Sequence, residues 1–412
     1  MKKLTALLLA LIMVLAMNAS ALAADPASTV EDLPAIGKVT SGKEELSIKK
    51  EIAFFAPETT NINYPGISFT YTIAPATDAA GNITDKNGVT AQVRPGKDSA
   101  VTMGTDNKAV FAADTIEATP TGTLKSDEFV ISVDPAAFDN AGIYRYELKE
   151  TADTNLTTLG YKVATGAKQN SRYLDVYIGN KAGGGFEVKG YVLFYNADGN
   201  KTITSGDEGF KTEGFVHEGG DANYTNDNNV DKYETYEVTI KKNVTGTMGD
   251  INNVFPFNVA VSGAPSASNI EMDVIGGSGT NANITLTNGA AAESMVAGLK
   301  NGETAKITGI PVGATLTITE TNNTVSTYKV TTTGLQGGGS SEQDVAANNK
   351  NTAGTVTTTN VEVKAVEFTN KLDDVSQTGV VLRFAPYALM LGAGVALFII
   401  LKVRKNKAVE ED

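Results

Sequence analysis

The sequence predicts an all-β chain of two tandem β-sandwich domains, held between an N-terminal signal peptide and a C-terminal transmembrane helix. Three observations predict it. Short runs of alternating apolar and polar residues, rich in Thr, Val, Tyr and Phe, recur through the middle of the chain. Clusters of Gly, Asn and Asp bound them, as turns between strands require. No long stretch with the helical period of 3.6 occurs away from the two ends.

At the N-terminus, Lys2 and Lys3 precede an apolar run over 4–16, and Ala21-Leu22-Ala23 supplies an A-x-A cleavage pattern. Residues 1–23 read as a signal peptide cut between Ala23 and Ala24. The apolar run is short for a spanning helix, which takes about 20 residues. At the other end, 380–401 is apolar except for Arg383 and is long enough to cross a bilayer. Lys402, Arg404, Lys405 and Lys407 then hold the tail, 402–412, in the cytoplasm. The body between is exported.

Composition removes several functions. The 412 residues include no Cys and no Trp, and His217 is the single His. Disulfides are therefore excluded, and His or Cys metal centres and His-based triads have almost nothing to draw on. No cofactor is expected. The formal charge of −13 repels nucleic acid and anionic lipid. A glycosidase would need a carboxylate pair, and no motif nominates one among the 47 acids; the chain is expected not to be an enzyme acting on other molecules.

The alternating runs are FTYTI (69–73), FVISV (129–133), YRYEL (144–148), VTI (238–240), FPFNV (255–259), LTI (316–318) and VEF (366–368). They fall into two divergent copies of one unit. LSIKKEI (46–52) matches VTIKKNV (238–244), and AGIYRYELKE (141–150) matches VGATLTITE (312–320). VEFTNKL (366–372) closes the second copy. The first sandwich is placed at 40–220, a linker rich in Asn and Asp at 221–231, and the second sandwich at 232–374. The glycine runs AGGGF (182–186) and LQGGGSS (335–341) lack the Lys and helix of a phosphate loop and read as hairpin turns.

Side chains alternate along a strand. Val238, Ile240, Lys242 and Val244 therefore share a face, as do Leu46, Ile48, Lys50 and Ile52. Leu316, Ile318 and Glu320 share another, as do Tyr146, Leu148 and Glu150, and Val366, Phe368 and Asn370. Two readings fit a Lys, a Glu and an Asn at the ends of apolar faces. In one, the charges snorkel to water. In the other they are buried, which favours neutral amine and protonated acid. The amine can then attack the Asn carboxamide while Glu shuttles the proton, giving a Lys–Asn isopeptide bond with loss of ammonia.

Lys242-Asn-Val-Thr-Gly246 with Gly249-Asp250, Phe255-Pro-Phe257, Pro311-Val-Gly-Ala314 through Glu320, and Phe368-Thr-Asn370 resemble the isopeptide-linkage domains of Gram-positive sortase-assembled pilins, of the streptococcal T-antigen type. The first copy matches at Lys50 and from Ala141-Gly-Ile-Tyr-Arg-Tyr146 to Glu150. The resemblance covers most of the exported body. It implies Ig-like pilin sandwiches in which Lys242 bonds Asn370 with help from Glu320. In the first sandwich it implies a bond from Lys50 assisted by Glu150, but the acceptor departs from the pattern. Phe215-Val-His217 stands where Phe-x-Asn is expected. Asp231, in Asp-Lys-Tyr, is one acceptor candidate, and Asn180, which shares a face with Leu174, Val176 and Ile178, is another. Joining first strand to last would constrain the unfolded chain by roughly 4–5 kcal/mol for a loop of over 100 residues.

Val375-Ser-Gln-Thr-Gly379 before the apolar segment resembles a pilin sorting signal, with Ser376 where Pro is usual. It implies sortase cleavage between Thr378 and Gly379, with transfer of Thr378 to a Lys of the next subunit. Lys211, in GFKTEGF, is the candidate. A permanent anchor is the plainer alternative. The implied partners are sortase, other pilin subunits in a covalent homopolymer, and peptidoglycan of the cell wall. The alternative is a wall-anchored adhesin or minor pilin that binds a host or matrix ligand.

Overall fold

The computed structural model describes residues 38–374 and 377–409, apart from 41–42, 77–80, 85–89, 166–169, 195–211, 218–222, 226, 267–269 and 338–341. Ala23, Ala24, Lys211 and Ser376 lie outside the described residues.

The principal strands of the first sandwich are β1 (Lys43–Phe55), β2 (Thr60–Tyr64), β3 (Ile67–Pro75), β4 (Thr123–Val133), β5 (Gly142–Ala152), β6 (Ser171–Asn180), β7 (Phe186–Phe194) and the short β8 (Gly214–Phe215). The next is β9 (Asp231–Thr245), followed by β10 (Phe255–Ser262), β11 (Ile270–Gly276), β12 (Ala291–Leu299), β13 (Thr304–Pro311), β14 (Thr315–Thr321), β15 (Tyr328–Thr333), β16 (Lys350–Val356) and β17 (Val363–Lys371). Helix α1 runs from Gln377 to Val409. It contains an apolar, unburied stretch, Pro386–Arg404, long enough to cross a membrane. Thr378 and Gly379 fall in its first turn.

In the first sandwich β1 pairs with β4 antiparallel and with β8 and the start of β9 parallel. The facing sheet is β7-β6-β5-β3. In the second, β9 pairs with β13 antiparallel and β17 parallel, and the facing sheet is β12-β10-β14-β16. The alternation read from sequence carries through. Leu46, Ile48, Val238, Ile240, Phe255, Phe257, Leu316, Ile318 and Phe368 are all buried. Inner faces of this kind are what bring two sheets together. The AGGGF turn joins β6 to β7 as a hairpin. LQGGGSS lies between β15 and the strand Gln343–Val345, which pair antiparallel, and 338–341 of it are outside the described residues.

One expectation changes. Asp231, placed at the end of a linker, is the first residue of β9 and pairs across from Ile52 of β1. Residues 231–234 belong to the sheet of the first sandwich, and the strand then continues into the second. The Asn/Asp cluster before it hid the change because a strand beginning with Asp and Lys looks like loop. The joint is packed. Ile62, Tyr64, Tyr161 and Tyr233 belong to one apolar cluster shared by both sandwiches. Lys306 reaches Glu58 at 2.6 Å and the buried Glu237 at 2.8 Å. Asn63 donates to the Glu271 carbonyl at 2.9 Å.

Candidate functional site: two Lys–Glu–acceptor clusters

In the second sandwich β9 carries Lys242 inward, β14 carries Glu320 and β17 carries Asn370. Their side chains are sealed: Lys242 and Asn370 are 0 % exposed and Glu320 1 %. Lys242 Nζ lies 3.0 Å from Glu320 Oε1, and Asn370 Nδ2 donates to the same oxygen at 2.9 Å. Glu320 Oε2 and Asn370 Oδ1 are buried and have no hydrogen-bond partner. Two orphaned oxygens in one apolar pocket are costly. The Lys242 ammonium lies over the Phe255 ring at 4.6 Å.

Burial sets the protonation here. It pushes the Lys242 amine down to about 8, against the opposing pull of Glu320. It pushes the Glu320 carboxyl up, with Lys242 and Asn370 opposing. Both shifts favour a neutral amine beside a protonated acid, the pair that amide exchange needs.

The first sandwich builds the same cluster from less regular sequence. Lys50 Nζ lies 2.9 Å from Glu150 Oε1 and 2.7 Å from Asp231 Oδ2. Their side chains are 3 %, 5 % and 3 % exposed. Asp231 Oδ1 accepts from the Ala164 backbone N–H at 2.8 Å. Lys50 lies over the Phe69 ring at 4.2 Å. Burial pulls the Lys50 ammonium down, but Asp231 and Glu150 together outweigh it and hold it above its ordinary value. Burial and the neighbouring Asp231 raise the Glu150 carboxyl, with Lys50 and Tyr71 pulling it back. Asn180 is exposed at the end of β6, paired with Phe186. Of the two acceptor candidates, the structure brings Asp231 to Lys50.

The two clusters share one register. Asp231 pairs with Ile52, two residues beyond Lys50, and Asn370 pairs with Val244, two residues beyond Lys242. Phe215 pairs with Lys50 as Phe368 pairs with Lys242. In the second sandwich β17 supplies both Phe368 and Asn370. In the first, β8 supplies Phe215, the chain leaves the sheet, and β9 supplies Asp231. His217, two residues past Phe215, turns away to Asp227. Gly214 is what lets β8 lie so close to β1, because a Cβ there would sit 1.9 Å from the Lys49 carbonyl oxygen. Arg172 pins β8 from the facing sheet, donating to the Gly214 carbonyl at 2.7 Å with its guanidinium 4.3 Å from the centre of the Phe215 ring.

Sequence reading missed Arg172 and Tyr71. Tyr71 Oη donates to Glu150 Oε2 at 2.7 Å. The signal was the match of Phe69-x-Tyr71 to Phe255-x-Phe257, since Tyr71 pairs with Glu150 as Phe257 pairs with Glu320.

Residues 236–371 match a family model described as a domain of unknown function, DUF7601. Over 175 residues the chain is 31% identical to a pilin of Streptococcus pyogenes serotype M1, covering 40% of this chain and 48% of that protein. The chain thus spans about half the length of the curated relative it matches. Among solved structures, the major pilin T3.2 of Streptococcus pyogenes is 20% identical over 81% of this chain and 100% of its own, with a TM-score of 0.39. Another major pilin of Streptococcus pyogenes is 18% identical over 82% and 100%, with a TM-score of 0.41. Over the matched 175 residues, this chain is similar in sequence to a streptococcal pilin.

Proposed function

We propose that this chain is the backbone subunit of a covalent cell-surface pilus, stiffened by two self-formed isopeptide bonds and polymerised by sortase at Thr378. The observation that carries the reading is the recurrence of one buried Lys–Glu–acceptor cluster, in one register, where the first and last strands of each sandwich meet. In the second sandwich the Lys242 amine attacks Cγ of Asn370. Glu320 passes protons to the amide nitrogen, which leaves as ammonia. In the first, Lys50 condenses with Asp231 and water leaves. Each bond would tie a first strand to a last strand, in shear, where tension on a fibre acts.

The signal peptide, the Thr378–Gly379 sequence ahead of the apolar α1 and the basic tail support export, transient anchoring and transfer to the wall. The test of the cross-links is the intact mass of the exported chain, residues 24–378. Loss of one water and one ammonia, about 18 and 17 Da, follows from the proposed attacks. Asp231→Ala should restore the first and Asn370→Ala the second, while Asn180→Ala should change nothing. An unshifted wild-type mass would remove the cross-links. In wall extracts, a ladder of covalent multimers that collapses in Thr378→Ala and Lys211→Ala supports the backbone role. A single band favours the wall-anchored adhesin or minor pilin.

A further inference from the structure

The two clusters differ at one oxygen, and the difference assigns opposite proton roles to the two glutamates. In the second sandwich Glu320 Oε1 accepts from both Lys242 and Asn370, and Oε2 is bare. No donor reaches that oxygen, so nothing at Oε2 stabilises the charged carboxylate. In the first sandwich Glu150 has no bare oxygen. Oε1 faces Lys50 at 2.9 Å and Oε2 accepts from Tyr71 at 2.7 Å. Hydrogen bonds donated to both oxygens favour the charged form, against burial and the neighbouring Asp231.

Tyr71 is built into place. It is 1 % exposed, stacked on Phe129 with centroids 3.5 Å apart, and 5.3 Å from Phe215. Its Cα pairs with that of Glu150, so the sheet register sets the two side chains next to one another. Phe257, in the matching position opposite Glu320, has no hydroxyl to offer.

The acceptors differ in step with this. Asn370 is an amide, and its leaving nitrogen must gain a proton. Asp231 already lies 2.7 Å from the Lys50 ammonium and can take its proton directly. What the first site then lacks is a base for the second N–H proton.

We propose, on the cross-link reading above, that Tyr71 is a positioning residue that holds Glu150 as a proton acceptor toward Lys50, so that the first bond forms with base assistance and the second with acid assistance. The step balances. Lys50 gives one proton to Asp231, and its nitrogen attacks Cγ. A second proton passes from nitrogen to Glu150 Oε1 and on to the departing hydroxyl. Water leaves, the amide keeps one N–H, and Glu150 is again a carboxylate.

The test is Tyr71→Phe, which keeps the ring and removes the hydroxyl. Exported chain 24–378 is made by cell-free synthesis at a series of pH values, and water and ammonia losses are followed in time by peptide mass. One hydrogen bond to a charged group corresponds to slowing of about tenfold or more. Loss of the donor also raises the Glu150 carboxyl, so the acid limb of the first bond's rate should move to higher pH. The second bond should keep its rate and profile. A merely structural Tyr71 would slow the bond without moving the limb, and an unchanged rate and limb in Tyr71→Phe would overturn the proposal. If wild type itself loses no water, the cross-link reading for the first sandwich falls, which is a different result.

Discussion

Asp231 and Lys242 stand on one continuous strand, β9, the first completing the sheet of one sandwich and the second opening the sheet of the next. Each points into its own core, Asp231 to Lys50 and Lys242 to Glu320. Force entering at Lys50 would therefore pass through a cross-link, along a single strand, and through a second cross-link to β17 and the sorting segment. No loop lies between the two sites.

On that path the proposed cross-links would matter most for unfolding. Closing loops of well over 100 residues constrains the unfolded chain by about 5 kcal/mol each in the chain-entropy model. Asn370→Ala and Asp231→Ala should each lower the denaturant midpoint substantially, and the double variant should lose roughly the sum, measured by guanidinium melts with mass recorded on the same samples.

Glu320→Gln keeps the shape of the side chain but removes the ionisable proton. The chain should fold, retain the water loss of the first sandwich and regain the ammonia, about 17 Da by the proposed stoichiometry. If Glu320→Gln still loses ammonia as fast as wild type, Glu320 is a packing residue only.

The second bond should also show a defined acid limb. In the proposed step the nucleophile is the neutral Lys242 amine, and burial brings that group down to about 8. Below that pH the amine is protonated, so the rate of ammonia loss should fall about tenfold for each pH unit. Pulse-labelled synthesis at pH 6, 7 and 8 reads this directly.

The split last strand of the first sandwich can be tested at Gly214. A Cβ there would meet the Lys49 carbonyl oxygen at 1.9 Å, so Gly214→Ala should push β8 off β1. Phe215 then moves from beside Lys50. Slower water loss and faster proteolysis near residue 214 are expected, with the second sandwich unaffected.

At the joint, Lys306 is the cation beside buried Glu237. Burial raises the Glu237 carboxyl, with Lys306 pulling it back. A carboxyl raised in the folded state favours folding most below its unfolded value of about 4.3, and that contribution is lost as pH rises through the folded value. Lys306→Met deepens the shift. Its Tm should match wild type at acid pH and fall progressively below it toward neutral pH.

The alternation of apolar residues by itself determined the strands, the two repeated sandwiches and the apolar faces that Lys50, Glu150, Lys242, Glu320 and Asn370 share; that these side chains are buried and not turned to water is a tertiary result. Period two fixes which face a side chain joins, and burial of that face fixes the register within each sheet. Only the tertiary structure brings Asp231, and not Asn180, to Lys50. Asp231 reaches Lys50 because β9 pairs parallel with β1, a contact across 181 residues that no local pattern encodes. The same holds for Tyr71 and Arg172. Each looked like an ordinary strand residue until the facing sheet set Tyr71 against Glu150 and Arg172 against Gly214. Spacing along a strand is local information, but the partner opposite it is chosen by how two sheets close.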